Sequence, residues 1–290
     1  MKVVLFCGGM GMRIREHSGS IPKPLVPIGE RPILWHIMKY YAHYGHKDFI
    51  LCLGWKANAI KEYFHGRNGK ARPAANESVK SNGPEQIRYD EEGWNITFVD
   101  TGLDACIGQR LKAVQPYLEG EEIFLANYAD GLSDLPLPNI IDSFRETNPV
   151  GMFVSVPPRY VYFHSVASQR DGTVSSMEPL VETDVWMNGG FFTFSHEIFD
   201  YIRDGEDLVD EPFKRLIAAR KLRTMKFEGF WASMDTYKEK QLLDDLHAGG
   251  SAPWEVWKGD RPAVSYSRRP GTNNLSNGTS RPMAVGRKEP

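Results

Sequence analysis

The stretch that most restricts what this chain can fold into is its first two dozen residues, MKVVLFCGGMGMRIREHSGSIPKP. Residues 3–6 have the length and β-branched bias of a strand buried on both faces, as parallel strands are. The strand runs straight into Gly8-Gly9-Met10-Gly11. A strand that stops in glycines can bring bare backbone N–H groups close to an anion, because no Cβ stands in the way. Arg13 follows, able to contact phosphate oxygens in bidentate fashion, and Lys23, between Pro22 and Pro24, adds a mobile point charge. The same glycines also suit a tight strand-to-helix turn that binds nothing. Two other arrangements are excluded by spacing: the third glycine of the dinucleotide fingerprint is missing, and no Gly-Lys-Ser/Thr follows as in a Walker loop.

Downstream, helix-spaced apolar positions over 33–44 precede a strand at 49–53 ended by Gly54, then a short helix at 59–64. Strand and helix in alternation predict a parallel α/β sheet. From 65 to about 92 the composition turns polar, either a long excursion or a partly ordered insert. Residues 94–102 alternate as a strand, and 108–114 read as the start of a helix. Arg110 and Lys112 there suit an anion-friendly helix end or an ordinary solvated basic face.

A buried strand at 123–128 ends in Ala129-Asp130-Gly131. In open parallel sheets ligands lie at the carboxyl ends of strands, so Asp130 suits a metal-binding carboxylate, and it equally suits a turn. A further strand is expected at 151–157, irregular chain over 159–184, and a tight turn at Asn188-Gly189-Gly190 into an aromatic strand. Helical spacing recurs at 198–202 and 211–219, and 224–227 is short and β-like. Asp235 precedes a helix at 237–247, where an N-cap is its ordinary role. Past Trp257 the chain is rich in Arg, Pro, Gly, Ser and Asn, which makes 1–258 one domain and 259–290 a tail expected to be disordered.

Composition narrows the function classes. With 290 residues, 41% hydrophobic and 25% charged, the chain can bury a large core. A formal net charge of -2 argues against a general binder of nucleic acid or of membrane surfaces, so any anion is caught by a local cluster. Cys7, Cys52 and Cys106 are odd in number and far apart, which reads as structural thiols in a reducing compartment, the cytoplasm. The first apolar run meets glycine too early for a signal peptide, and no run approaches a membrane span. No Ser-His or Cys-His pair offers itself for nucleophilic catalysis.

Taken together, GGMGMR, IPKPLVPIG, RPILWHIMK, IKEYF, WNITFVDTG, GQRLKAV, NYADG, MNGGFF, GFWASMDT and APWEVW, in this order, resemble the sugar-1-phosphate nucleotidyltransferases, and within them the cytidylyltransferases. The resemblance covers the chain to about Trp257. It implies a Rossmann-like α/β fold with a mixed, mainly parallel sheet flanked by helices, and transfer of a nucleotidyl group from CTP (or UTP or dTTP) to a sugar-1-phosphate such as glucose-1-phosphate. By similarity, Gly8, Gly9, Met10, Gly11 and Arg13 hold the triphosphate, Lys23 offsets charge at the reacting phosphates, and Arg110 belongs to the region that selects the base. Asp130 and Asp235 look like the carboxylates for a catalytic Mg²⁺, and Asn188 like a sugar contact. Homo-oligomers are common in the family.

Three departures from the family pattern stand out, one in the opening turn and two on the acceptor side. Met12 stands where the turn usually has Thr. Met177-Glu178-Pro179 stands where a Glu-Lys-Pro motif is usual, so the lysine that would grip the acceptor phosphate is missing. Arg159-Tyr160-Val161-Tyr162-Phe163-His164 replaces a Gly-rich Arg-Phe-Gly segment. Losing one charge-assisted phosphate contact costs about 1.5 to 3 kcal/mol, which implies a different acceptor, a substitute cation such as Arg159, or a weakened enzyme; Glu178 and Arg159 join Asn188 as the acceptor-side candidates. The donor side is conventional and the acceptor side rewritten.

Overall fold

The computed structural model describes residues 1–9, 21–66, 84–160 and 163–259, with the backbone of 72–73. Met10, Gly11, Met12 and Arg13 of the opening turn lie outside the described residues, as does the tail from 260.

The apolar opening run forms β1 (Val3–Phe6). It is followed by α1 (Ile33–His43), β2 (Asp48–Leu53), α2 (Ala57–His65), β3 (Glu85–Tyr89) and β4 (Trp94–Asp100). Next come α3 (Ile107–Ala113), β5 (Ile123–Tyr128), β6 (Gly131–Ser133), α4 (Leu137–Thr147) and β7 (Gly151–Val156). The second half continues with β8 (His164–Ser168), β9 (Val174–Pro179), β10 (Met187–Asn188) and β11 (Phe192–Ser195), then α5 (Glu211–Ala218), β12 (Leu222–Lys226), β13 (Trp231–Ser233) and α6 (Tyr237–Ala248).

The main sheet runs β12–β7–β11–β5–β1–β2–β4–β3, with β10 continuing the line of β11 along β7. Its centre is parallel: β5 and β2 flank β1, and β4 follows β2. β11 is antiparallel to β5 and β7, so the sheet is mixed but parallel in its middle, as expected. The strands alternate between two cores. Val3 and Leu5 face the layer of α1, α2 and α4, while Val4 and Phe6 face the layer of α3 and α5. Burial on both faces is what an unbroken apolar run requires.

Two stretches differ from the sequence reading. The polar stretch after 65 contributes β3, antiparallel to β4, and Arg72–Pro73 pairs with β3 at the sheet edge. The stretch 159–184, expected to be irregular, contains a two-stranded ribbon of β8 against β9. Nearly all its side chains are exposed, Val166, Val174 and Met177 included, so it lacks the alternation of buried and exposed positions that marks a half-buried strand. Among the described residues no helix is long and apolar enough to cross a membrane.

The segment after α6 is part of the core. Trp254 is fully buried, and its indole Nε1–H donates to His36 Nδ1 (3.3 Å). Nδ1 therefore accepts, and His36 Nε2–H donates to the Ile28 carbonyl (3.1 Å). A second ring proton would point at the Trp254 N–H. Burial, the largest influence, pushes the His36 pKa down to about 4. Between pH 6.5 and 4 the unfolded chain binds a proton that the folded one refuses, so stability present above pH 6.5 is lost as pH falls through that window. This linkage is worth about 3 kcal/mol. Urea denaturation of the wild-type protein and of His36→Gln across pH 4 to 7 should show a shallower acid loss in the variant.

Candidate active site

The chain leaves β1, builds β2 and β4 on one side, and returns to place β5 on the other side of β1. The crevice between the carboxyl ends of β1 and β5 is thus the switch point of the sheet, where open α/β folds bind ligands. A cavity of about 340 Å³ opens there, walled by Phe6, Cys7 and Gly9 from the end of β1 and by Tyr128, Ala129 and Asp130 from the end of β5. Lys23 and Asp235 complete the floor, and Cys106, Ile107 and Asp207 the far wall.

Three segments distant in sequence meet on the floor. Lys23 Nζ donates to Asp130 Oδ2 (2.5 Å) and to Asp235 Oδ1 (2.7 Å). Lys23 sits in a single 3₁₀ turn, Lys23–Leu25, whose backbone is restricted by Pro22 and Pro24. Asp130 and Asp235 are held side by side by a small second sheet, β6 against β13, and by the Met234 N–H donating to the Asp130 carbonyl (2.9 Å). The expected N-cap role of Asp235 falls instead to Thr236: its hydroxyl accepts from the Glu239 N–H (3.3 Å), and the Glu239 carboxylate accepts from the Asp235 and Thr236 N–H groups. The Asp235 carboxylate is thereby left to face Lys23.

Burial opposes the charge on Lys23, but Asp130 and Asp235 more than reverse it, and the lysine pKa is raised. The ammonium stays charged between two carboxylates. Two carboxylates meeting at one cation are the hard oxygen donors that a divalent ion takes together with phosphates and water. Among the described residues no group of three or more His, Cys, Asp or Glu side chains gathers, so the chain offers two ligands here and no closed cage.

Arg110 is neither an exposed basic residue nor part of a helix N-terminus; it lies in the last turn of α3 and is 2% exposed. Its Nη1 donates to the Leu53 carbonyl (3.2 Å), Thr101 Oγ1 (2.7 Å) and the Gly102 carbonyl (2.9 Å). Its Nη2 donates to the Gly8 (3.1 Å) and Leu103 (3.2 Å) carbonyls. One guanidinium thus ties together the loops after β1, β2 and β4. Gly8 is obligatory, since a Cβ there would stand 1.9 Å from Arg110 Nη1. Gly9 meets nothing within 4 Å and turns a bare backbone to the cavity. Lys112 pairs with Asp204 at the surface (2.6 Å).

The acceptor-side candidates are dispersed. Asn188 is exposed at the end of β10, and its Nδ2 lies 3.4 Å from the Tyr128 hydroxyl at the cavity wall. Arg159 is buried, with its guanidinium on the Glu228 and Gly229 carbonyls (3.2 Å to the latter). Glu178 stands exposed on the ribbon and does not line the cavity. Sequence reading passed over Tyr128, Cys106 and Asp207. Tyr128 is the last residue of β5, so the strand-end rule that drew attention to Asp130 applies to it too; burial pushes its hydroxyl up to about 12. Cys106 begins α3 and its thiol donates to the Glu206 carbonyl (2.9 Å). Asp207 approaches the Ile107 N–H from a loop with no motif of its own. Burial raises the Cys7 thiol well above its ordinary value, so it is no nucleophile.

Fold and floor together define an α/β protein that presents a glycine turn and a cation held by two carboxylates at its switch point, the equipment of phosphate chemistry. The chain belongs to the Nucleotidyl transferase family, whose model matches residues 2–244, and it is a nucleotidyltransferase. A Bacillus subtilis (strain 168) protein named "Probable glucose-1-phosphate cytidylyltransferase" is 38% identical over 89% of this chain and 100% of its own length. The glucose-1-phosphate cytidylyltransferase of Salmonella typhimurium (strain LT2) is 36% identical over the same shares. Among solved structures, HddC from Yersinia pseudotuberculosis matches 85% of this chain and 99% of its own with a TM-score of 0.58; at 20% identity the likeness is one of fold.

The five bonds of Arg110 predict a bracing role. Arg110→Met should lower unfolding free energy by on the order of 3 kcal/mol, because the charge-assisted bonds of a buried guanidinium to three segments are lost, and Arg110→Lys should not restore it, having three donors for five acceptors. Urea denaturation checks this. Unchanged stability with weakened nucleotide affinity would make Arg110 a ligand contact instead.

Proposed function

We propose that this nucleotidyltransferase moves the cytidylyl group of CTP to the phosphate of a sugar-1-phosphate, glucose-1-phosphate or a close relative, and releases pyrophosphate. The relatives aligned over their full length are named for glucose-1-phosphate and cytidylyl transfer. The observation that carries the reading is the Lys23–Asp130–Asp235 cluster on the cavity floor next to Gly9.

An acceptor phosphate oxygen forms a bond to the α-phosphorus while the bond from that phosphorus to the bridging oxygen breaks, and the electron pair leaves with pyrophosphate. A phosphate monoester has its second pKa near about 6, so the attacking oxygen is already ionised at neutral pH and no general base is needed. What the site must supply is charge neutralisation and in-line placement. We assign the phosphates to the Gly8-to-Gly11 turn with Arg13, and the charge developing on them to Lys23. Nucleotidyltransferases of this family generally use a divalent metal. Asp130 and Asp235 would hold it, as Mg²⁺, and it would supply further positive charge at the phosphates. Asn188, beside the Tyr128 hydroxyl, is assigned to the sugar. Arg159 acts on that side at one remove, by bracing the 228–229 turn ahead of β13. The same reading makes the protein a cytoplasmic homo-oligomer, and its three free cysteines are compatible with a reducing compartment.

A grid of nucleoside triphosphates against sugar-1-phosphates with Mg²⁺, scored by pyrophosphate release, should give its highest rate with CTP. Asp130→Asn and Asp235→Asn should each lower kcat by on the order of 10²- to 10³-fold. An unaffected Asp235→Asn would remove that residue from the site. CTP binding with no release for any acceptor would instead describe a nucleotide-binding relative that has lost catalysis.

A further inference from the structure

We infer that Lys23 is a resident counter-ion that occupies the cation position between Asp130 and Asp235 in the free protein, so that a divalent ion enters only as a triphosphate draws the ammonium away. The inference rests on the reading that Asp130 and Asp235 are the metal ligands, and goes beyond it by making one side chain serve two positions in turn.

The geometry leaves one cation-sized gap and fills it. Lys23 Nζ contacts both carboxylates, at 2.5 and 2.7 Å, and its side chain is 12% exposed against 27% for Asp130 and 32% for Asp235. The ammonium is therefore the inner partner and the carboxylates the outer ones. A divalent ion that bound both aspartates with the lysine in place would stand within a few ångströms of a like charge and be repelled by it. The lysine has somewhere else to go: its four-carbon stem is flexible, and Gly9, whose backbone faces the same cavity, lies on the wall where a polyphosphate would dock. A triphosphate brings negative charge for the ammonium, and the vacated carboxylates then accept a divalent ion that the same phosphates help to ligate. Metal and nucleotide are thereby coupled, each favouring the other through the position of Lys23.

The test is Mn²⁺ binding to the full chain without nucleotide, followed by the electron paramagnetic resonance signal of the free ion. Lys23→Met should bind Mn²⁺ at least about tenfold more tightly than wild type, since it removes a competing charge. Lys23→Arg, which keeps a cation, should bind as weakly as wild type. Adding Asp130→Asn to Lys23→Met should abolish the gain. In parallel, Mg²⁺ should raise the thermal midpoint of Lys23→Met clearly more than that of wild type, because the variant has lost the ammonium that offsets the repulsion between Asp130 and Asp235; if Lys23→Met does not fold, Lys23→Gln carries the same expectations. Equal Mn²⁺ affinity in wild type and Lys23→Met, still lost on Asp130→Asn, would overturn the counter-ion role and leave the metal site standing. Absence of aspartate-dependent Mn²⁺ binding in every variant would overturn both.

Discussion

Two carboxylates brought together in a half-buried crevice repel each other, and a cation between them offsets that repulsion. That constraint shapes the catalytic half of this protein. Asp130 arrives at the end of a central parallel strand, Asp235 at the mouth of a C-terminal helix, and Lys23 from a proline-bounded turn near the N-terminus; separations of 107 and 212 residues are closed by two ion pairs. The long-range pairing of β6 with β13 and the capping box at Thr236 fix the aspartates, so the energy of bringing like charges together is met by the fold before any ligand arrives.

Arg110 solves a related problem one layer below. The loops after β1, β2 and β4 converge at the sheet's carboxyl edge, where the Gly8 and Leu53 carbonyls already accept from the Trp55 and Thr101 N–H groups and have room for a second donor. A single planar guanidinium serves five acceptors, four of them carbonyls on those loops. The glycine turn is open to the cavity at Gly9 because it is clamped from beneath at Gly8. Adjacent glycines meet opposite surroundings: open space beside Gly9, and the close approach of the Arg110 side chain at Gly8.

Much of this was legible in the sequence, for definite reasons. The buried run before Gly8 and the run before Asp130 are strands with both faces covered, and such strands read as unbroken apolar stretches. Their carboxyl ends pointed to the glycine turn and to Asp130 as a candidate carboxylate, while Asp235 was marked by the family resemblance. For Arg110 and Asp235 the local rules alone favour a solvated basic face and a helix cap, and it was the family resemblance that marked both as site residues. In both cases a tertiary partner prevailed, the carbonyl cluster in one and Thr236 with Glu239 in the other. Tyr128 lies inside the NYADG block but was given no role of its own, and Asp207 belongs to no motif; the topology brings the β5 end and the 203–210 loop to one wall.

The acceptor half obeys different physics. Its candidate residues lie on the β8–β9 ribbon, on β10, and at Arg159, where the guanidinium is committed to the Glu228 and Gly229 carbonyls. The ribbon shares no strand pairing with the main sheet, and its cross-strand pair Val166 and Met177 remains exposed. Substitutions there remove little buried area, so they cost little stability. Substitutions at Gly8, Arg110 or the floor would disturb carbonyl and charge clusters on which several segments depend. A chain of this design can thus change what it accepts without changing how it holds the donor, and apart from Met12 in the opening turn the departures in this sequence fall on that side: Met177 and Glu178 on the ribbon, Tyr160 and Phe163 leading into it, and an intact Lys23, Asp130 and Asp235 beneath.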